Sequence, residues 1–346
     1  MASGLQPLLE VKDLAVHFRV YGGVLNVLDG VNFLVQPGEK VGLVGETGCG
    51  KTTAMKAILR ILPMPPAVIP RGEILLKGED ILKMKPDRLR QVRGNSISMI
   101  FQDPTAALNP VFTVEQQLEP VIRYASAANR KLTRKQLRER ALSSLREVAL
   151  ADPERLLRSY PLQLSGGMRQ RVCIGMALAT DPELLIADEP GTSLDVTIQD
   201  QVLRLLHSVV GSKRKSVILI THTLGVVRET TDRLYVMYAG NMVEDAPTGE
   251  LFANPLHPYT QGLMNSVPRL SGGGVANGIP GRIPTYLTPP SGCRFHTRCP
   301  HVMDVCRRQK PPSFKIDNRH SVACFLYKDN PEAVFETSDD RGHSLN

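Results

Sequence analysis

The chain has 346 residues, too many for one small domain and suited to one large domain with an appendage. Its 42% hydrophobic content supports a sizeable core, yet no run reaches the roughly 18–20 consecutive apolar residues that a membrane-spanning helix needs. The formal charge of +8 raises the nucleic-acid class, but the basic residues are spread out and thicken only between Arg123 and Arg158. That stretch (Arg130, Lys131, Arg134, Lys135, Arg138, Arg140) also carries Leu137, Ala141, Leu142, Leu145 and Val148 at helical spacing behind Thr133, a suitable N-cap. Its charges therefore read as the solvated face of an amphipathic helix, with proximity to anionic lipid as the second reading and nucleic acid the least favoured. Met1 to Asp13 has no basic stretch leading into an apolar block, so no export signal is expected. The expected location is the cytoplasm, and any membrane is to be reached through partners.

In chain order, alternating apolar residues over Leu9–Val11, Leu14–Phe18, Val24–Leu28 and Val31–Val35 predict antiparallel strands, with Gly22-Gly23 and Asp29-Gly30 as turns. A buried strand, Lys40 to Val44, leads into a glycine-rich turn and a helix from about Lys51 to Ile61. Strands are expected at Gly72–Lys77 and Ile97–Phe101, then a mainly helical stretch from Val114 to Leu157. Strand–helix alternation resumes through Leu184–Ala187, Thr197–Val210, Val217–Thr221 and Leu234–Tyr238, the pattern of a parallel sheet covered on both faces. The Gly-, Pro- and Ser-rich stretch from about Leu270 to Pro290 reads as a linker, and the polar tail after Ala333 as frayed.

The segment Gly45-Glu-Thr-Gly-Cys-Gly50-Lys51-Thr52 fits G-x-x-x-x-G-K-[ST] between a strand and a helix, the context that makes the pattern a phosphate site. Its glycines let several backbone N–H groups face one anion, and the following helix adds its positive end. Lys51 is placed for the β- and γ-phosphates and the Thr52 hydroxyl for Mg²⁺. The candidate nucleotide contacts are Gly45, Glu46, Thr47, Gly48, Cys49, Gly50, Lys51, Thr52 and Thr53. Cys49 reads as a small loop residue rather than a redox switch. An apolar strand ending in Asp188-Glu189 supplies the companion carboxylates, Asp188 for the Mg²⁺ shell and Glu189 as general base toward water.

Between these elements lies Leu164-Ser165-Gly166-Gly167-Met168-Arg169-Gln170-Arg171, ahead of an apolar helix. Ser165 and the N–H groups of Gly166 and Gly167 would again present a helix N-terminus to phosphate. This stretch resembles the ABC-transporter signature, with Met168 where the common form has Gln. The resemblance implies that the two glycine turns grip one ATP from opposite subunits of a head-to-tail dimer. It further implies a Q-loop at Gln102, which senses the γ-phosphate, adds to the Mg²⁺ shell and meets membrane subunits. A D-loop at Ser193-Leu194-Asp195 and a switch histidine at His222 complete the set. Phe18 is the expected adenine-stacking aromatic, with Tyr21 as the alternative. Gly191 and Thr223 depart from the usual Thr and Asp, and neither removes a catalytic group.

Phe101-Gln-Asp-Pro104, Leu108-Asn-Pro110 and Asn254-Pro-Leu-His257-Pro258-Tyr259-Thr260-Gln-Gly-Leu263 resemble the oligopeptide/dipeptide importer branch over about residues 8–328. Read as bare chemistry, His257-Pro258-Tyr259 is a stiff turn. The tail, Cys293-x5-Cys299-x6-Cys306-x17-Cys324, is similar to the cysteine-rich region of these subunits. Four such thiols without an export signal indicate a metal rather than disulfides. Their spacing lacks the close pairs of zinc sites; the resemblance implies a [4Fe-4S] cluster, and zinc remains the alternative. His301 and His320 are read as solvent-exposed, with ligation as their alternative.

The expected architecture is α/β: a RecA-like P-loop ATPase core with an N-terminal antiparallel β-subdomain, a helical subdomain at about 103–180 and a small C-terminal cysteine-rich module. The divisions are 8–265 for the nucleotide-binding domain, 266–290 for a linker, 291–328 for the metal-cluster module and 329–346 for a flexible tail. The resemblance implies a peripheral ATPase on the cytoplasmic face of the membrane, powering uptake of di- or oligopeptides, with oligosaccharide or nickel as other solutes. Its implied partners are a second ATPase subunit, as a paralogue or a second copy, two transmembrane permease subunits and an extracytoplasmic solute-binding protein. A soluble ABC ATPase acting on nucleic acid or the ribosome is the rival class; such proteins carry two ATPase domains or a long coiled coil.

Overall fold

The computed structural model describes residues 6–126, 132–192, 194–213, 215–266, 278–329 and 334–335. Its centre is a mixed sheet whose described strands run Ile97–Ile100, Leu184–Asp188, Ser216–Ile220, Lys40–Val44, Arg233–Tyr238, Asn241–Pro247, Ser321–Val322, Phe314–Lys315 and Val334–Phe335. The first five are parallel. Each later neighbour pairs antiparallel. Leu184–Asp188 and Ser216–Ile220 are buried along their whole length, which is why they read as continuous apolar runs rather than alternating ones.

A second, antiparallel sheet is built from Gly23–Val35, Leu9–Val20, Ala67–Leu76 and Glu79–Asp80. In place of the several short strands expected, the N-terminal region forms two long ones joined by Tyr21-Gly22, with Gly23 already paired to Val20. Asp29-Gly30 is no turn. It sits within a strand where the pairing slips between Leu14↔Val31 and Val16↔Leu28. Gly30 takes φ +69 there, a left-handed conformation glycine adopts freely, so the chain bulges instead of reversing.

Helices Val114–Ser126, Arg134–Glu147, Pro153–Arg158 and Gly166–Leu178 occupy the expected helical subdomain. Thr133 closes a capping box with Gln136. Leu137, Ala141, Leu145 and Val148 are buried while Arg134, Lys135 and Arg140 stay exposed, so this basic stretch is a solvated helix face. Arg130 and Lys131 lie outside the described residues. Leu118, Leu145 and Ile174 share one apolar cluster with Leu185 and Leu219 of the central sheet, so helices and sheet are packed as one body.

The C-terminal segment corrects an expectation. Residues 291–328 do not form a separate cysteine-rich module on a core of their own. Ser321–Val322 extends the central sheet by pairing with Asn241–Pro247. Phe295 is buried in the cassette core, its ring 5.0 Å from Tyr238 and 5.5 Å from Tyr259. The segment joins the large core because its own apolar residues are too few to exclude water.

The expected linker 266–290 is described only from 278, and there it is packed: Ile279 and Ile283 join the apolar cluster around Tyr238. Most of the expected tail lies outside the described residues. His320 is buried rather than exposed, its Nε2 2.8 Å from Glu244, whose carboxylate also accepts from the Leu256 and His257 N–H groups. His257 is more than a stiff turn. Its Nδ1 accepts from the Tyr259 N–H, and burial pushes the imidazole pKa down to about 4, keeping it a neutral acceptor.

Because Phe295 belongs to the cassette core, Phe295→Ala is expected to lower the stability of the whole chain by about 3–5 kcal/mol. Urea unfolding followed by circular dichroism should show a single transition at lower denaturant. An unchanged main transition with a separate early one would instead mark an independent module.

Candidate functional site

Four consecutive parallel strands of the central sheet end at one place. Lys40–Val44 runs into the loop Gly45–Gly50, Ser216–Ile220 into Thr221-His222, Leu184–Asp188 into Glu189, and Ile97–Ile100 into Phe101-Gln102. Ligand sites in open α/β sheets form at these carboxyl ends, where loops leave the sheet in different directions.

The loop is shaped by close backbone approach. A Cβ on Gly45 would lie 2.1 Å from the Met237 carbonyl oxygen, so only glycine fits there. Lys51 opens helix Lys51–Ile58 and is 5% exposed. Its Nζ donates to the carbonyl oxygens of Gly45 at 2.7 Å and Glu46 at 3.1 Å, with Cys49 Sγ at 3.7 Å. The helix has no side-chain cap at Gly50 and no acidic residue in its first turn. An uncapped helix N-terminus beside an ammonium is a fit for phosphate. Thr47 and Gly48 are exposed at the loop's crest, and Thr53 is half-buried on the helix. Burial pushes the Cys49 thiol up, keeping it protonated, in line with a loop residue rather than a reactive one.

Thr52 Oγ1 donates to Asp188 Oδ1 at 3.2 Å. Burial raises the Asp188 carboxyl above the usual carboxylate range; the Thr52 bond works against that, and neighbouring Glu189 adds to it. A buried carboxyl held next to a hydroxyl is what a divalent cation would ionise and bind, so this pair fits Mg²⁺. Glu189 follows with φ +46, turning its side chain out of the strand line. Its Oε2 accepts from Gln102 Nε2 at 3.1 Å and Thr192 Oγ1 at 3.0 Å, and His222 Nδ1 stands 3.7 Å away. One carboxylate thus gathers three polar side chains from three loops, an arrangement able to orient and deprotonate a water.

Thr192 carries no motif signal in the sequence, where Gly191 is the residue that departs from the family pattern. A Cβ on Gly191 would lie 2.6 Å from Gln199 Cγ, and the hydroxyl next to Glu189 comes from the following residue. Arg298, Tyr259 and Tyr286, which bind the loop from the C-terminal side, were also missed as site residues; their partners are far away in sequence, so no local motif marks them.

Other expected residues stand apart. Ser165 is exposed and caps helix Gly166–Leu178, accepting from the Met168 N–H at 3.3 Å. Asp195 accepts from the Ile198 N–H at 3.0 Å, and Ser193 lies outside the described residues. Gly166 and Gly167 pack closely on Leu194 and Ile198. Among the described residues, no hydrogen bond links Ser165 or Asp195 to the loop Gly45–Thr52. Phe18 packs half-buried against the core between Leu25 and Ala67, whereas Tyr21 is fully exposed at the hairpin tip.

Cys293, Cys299, Cys306 and Cys324 line one cavity together with His296 and His301. Burial pushes the Cys293 thiol up to about 11 and that of Cys324 to about 12. The expected metal centre is corrected in one respect: among the described residues, no three Cys, His, Asp or Glu side chains converge on a single metal position. The donor set suits a metal in kind, four thiols on one cavity, but not in closure on one ion.

Parallel strands that deliver a glycine loop, a buried aspartate and a glutamate bonded to Gln102 and Thr192 to one edge define a P-loop nucleotide hydrolase. The profile of the ABC transporter family matches residues 28–192, and that of the oligopeptide/dipeptide transporter C-terminal region matches 243–306. A probable peptide ABC transporter ATP-binding protein, y4tR of Sinorhizobium fredii, is 48% identical over 92% of this chain and 94% of its own length. The oligopeptide transport ATP-binding protein OppD of Bacillus subtilis is 44% identical, covering 94% of this chain and 92% of its own. The ATP-binding cassette MJ0796, solved as a dimer bound to ADP and Pi, superposes with a TM-score of 0.61 at 25% identity, over 69% of this chain and 98% of its own. The chain belongs to the ATP-binding subunits of ABC transporters, in the branch with an oligopeptide/dipeptide transporter C-terminal region.

Replacing Glu189 by Gln keeps the hydrogen-bonding shape and removes the base. ATP binding should persist while turnover falls by about 100- to 10,000-fold. Binding and phosphate release measured on the same preparation check this, and near-normal turnover would remove Glu189 from that role.

Proposed function

We propose that this chain binds Mg-ATP on the loop Gly45–Thr52, hydrolyses it, and thereby powers peptide import through partner permeases. The observation that carries this is the convergence of Lys51, Thr52, Asp188, Glu189, Gln102 and His222 at the ends of four neighbouring strands. The backbone N–H groups from Glu46 to Thr53 and the Lys51 ammonium would hold the phosphates. Thr52, Asp188 and Gln102 would complete the Mg²⁺ shell. Glu189 takes the proton of the attacking water, His222 holds the γ-phosphate, and Phe18 or the exposed Tyr21 stacks on adenine. Peptides as cargo rest on the relatives, whose names are those of peptide and oligopeptide transport proteins.

A second ATPase subunit, either a copy of this chain or a paralogue, completes the site. Among the described residues, the side chains of Ser165 and Asp195 hydrogen-bond only within their own turns, which suits turns that face another subunit's nucleotide. The dimeric MJ0796 cassette supports that assembly. A cavity of about 450 Å³ lies between the Gln102 loop and the helical region, lined in part by Met99, Phe101, Leu108, Val121, Tyr124 and Met176. A largely apolar hollow with an exposed aromatic rim and two arginines, Arg90 and Arg93, suits a permease segment, and its lining residue Phe101 precedes Gln102, the partner of Glu189. No described helix is long and apolar enough to cross a membrane, so permeases would hold the chain at the cytoplasmic face, and a solute-binding protein would deliver cargo from outside.

The test is co-expression with a pair of peptide-importer permease subunits. The expected result is a membrane complex whose ATPase is stimulated by peptide-loaded binding protein and abolished by Lys51→Ala. Failure to associate, with stimulation by DNA or ribosomes instead, would favour the soluble class.

The same reading assigns Cys293, Cys299, Cys306 and Cys324 to a [4Fe-4S] cluster. One zinc ion needs all its ligands about 2.0–2.3 Å from a single point, whereas a cluster spreads four thiolates over several iron atoms. The support for this assignment is that the four free thiols line one cavity. Such a centre would supply a local cross-link, and no step of ATP hydrolysis passes through it. Anaerobic purification should give brown protein with iron and sulfide in equal amounts; colourless protein with one zinc per chain would overturn the cluster.

A further inference from the structure

The outer face of the phosphate loop is held by residues that follow every catalytic motif in the chain. Arg298 reaches across from the cysteine-bearing segment and pairs with Glu46 through two parallel contacts, Nη1 to Oε2 at 2.8 Å and Nη2 to Oε1 at 2.9 Å. The remaining guanidinium bonds are also spent: Nε donates to the Pro280 carbonyl at 2.8 Å, Nη2 to that of Ile279 at 3.0 Å and Nη1 to the Tyr238 hydroxyl at 3.3 Å. The Arg298 side chain is only 4% exposed. An arginine so fully bonded cannot swing away without breaking several contacts at once, and it fixes a carboxylate in plane and direction.

Glu46 is the residue whose backbone carbonyl, with that of Gly45, accepts from Lys51 Nζ. Its own N–H donates to the Tyr259 hydroxyl at 2.8 Å. Further along, the Tyr286 hydroxyl donates to the Gly48 carbonyl at 2.7 Å, and the Gly240 N–H to that of Cys49 at 2.7 Å. The loop is gripped at Glu46, Gly48 and Cys49 from outside while Lys51 holds it from within.

We propose that Arg298 is a positioning residue of the ATP site, acting through Glu46 to keep the phosphate loop curled and its lysine in place before nucleotide arrives. The C-terminal segment is then part of the ATP site. This rests on the ATP-site reading above. Arg298 does not touch the nucleotide; it removes the ordering that ATP would otherwise have to impose, so its loss weakens ATP binding more than the chemical step.

The test uses the full-length chain with Arg298→Ala, Arg298→Lys, Glu46→Ala and the Arg298→Ala/Glu46→Ala double variant. Binding of ATP is titrated in the Glu189→Gln background, and steady-state ATPase in the parent background. Arg298→Ala should raise the ATP dissociation constant and KM by about tenfold or more, with kcat falling less than about threefold. Arg298→Lys, which keeps the charge and one contact, should recover part of the affinity. The double variant should be no worse than Arg298→Ala, because both substitutions remove the same link.

Unchanged ATP affinity in folded Arg298→Ala, a kcat loss at constant KM, or additive effects in the double variant would each overturn the proposal. Should Arg298→Ala lose its melting transition, Glu46→Ala decides alone, since there the arginine keeps Tyr238, Ile279 and Pro280 as partners; parent-like affinity in Glu46→Ala refutes the link. A parent chain that fails to bind ATP overturns the ATP reading itself, a result separate from parent and variants binding equally well.

Discussion

A loop that turns a series of backbone N–H groups toward one point cannot be held by those groups, because their aligned dipoles repel until an anion arrives. This constraint shapes the rest of the molecule. The loop Gly45–Gly50 is anchored where Gly45 meets the Met237 carbonyl, and Lys51 spans its inner side between the Gly45 and Glu46 carbonyls. Around that core lie the outer bonds from Tyr259, Tyr286, Gly240 and Arg298. Every one of the outer partners comes from residues 240–298, which gives the C-terminal part of the chain a reason to be packed on the cassette.

The carboxylate side of the site obeys a different rule. Asp188 and Glu189 are neighbours in sequence but are placed in unlike environments. Asp188 is buried on the strand beside Thr52, and Glu189 turns outward at positive φ among Gln102, Thr192 and His222. Burial raises the first and suits it to a cation; a ring of polar side chains suits the second to water. Gln102 belongs to this ring, and its neighbour Phe101 lines the hollow beside the helical region, so the two surfaces meet at adjacent residues of one loop.

Phe295 and Arg298 lie three residues apart and act in opposite directions. One fills the hydrophobic cluster with Tyr238 and Tyr259, and the other bonds the phosphate loop. Cys293 and Cys299 flank them and line the cysteine cavity. Core, nucleotide loop and cavity therefore meet within one short stretch of chain, and the cavity's neighbour Arg298 is bonded directly into the ATP site.

The strand–loop–helix around Lys51, the paired acids at Asp188-Glu189 and the capped helix behind Thr133 were legible in the sequence because each depends on residues close together along the chain. Glycine at tight backbone positions, a lysine at a helix start and an apolar run ending in acids carry their physics locally. Sequence alone also placed Gln102 and His222 at strand ends, though it could not bring them to the same carboxylate.

What tertiary structure decided are the encounters between distant segments. Glu46 and Arg298 are 252 positions apart, and Gly48 and Tyr286 are 238. No periodicity reports such a pairing. Composition made the stretch before Pro290 look like a linker and residues 291–328 like a module. Packing instead drew both onto the cassette, because a short segment excludes water only by sharing a larger core. The bulge at Asp29-Gly30 has the same origin: a turn dipeptide bulges without reversing the chain when both flanking stretches are already paired with the same neighbouring strand.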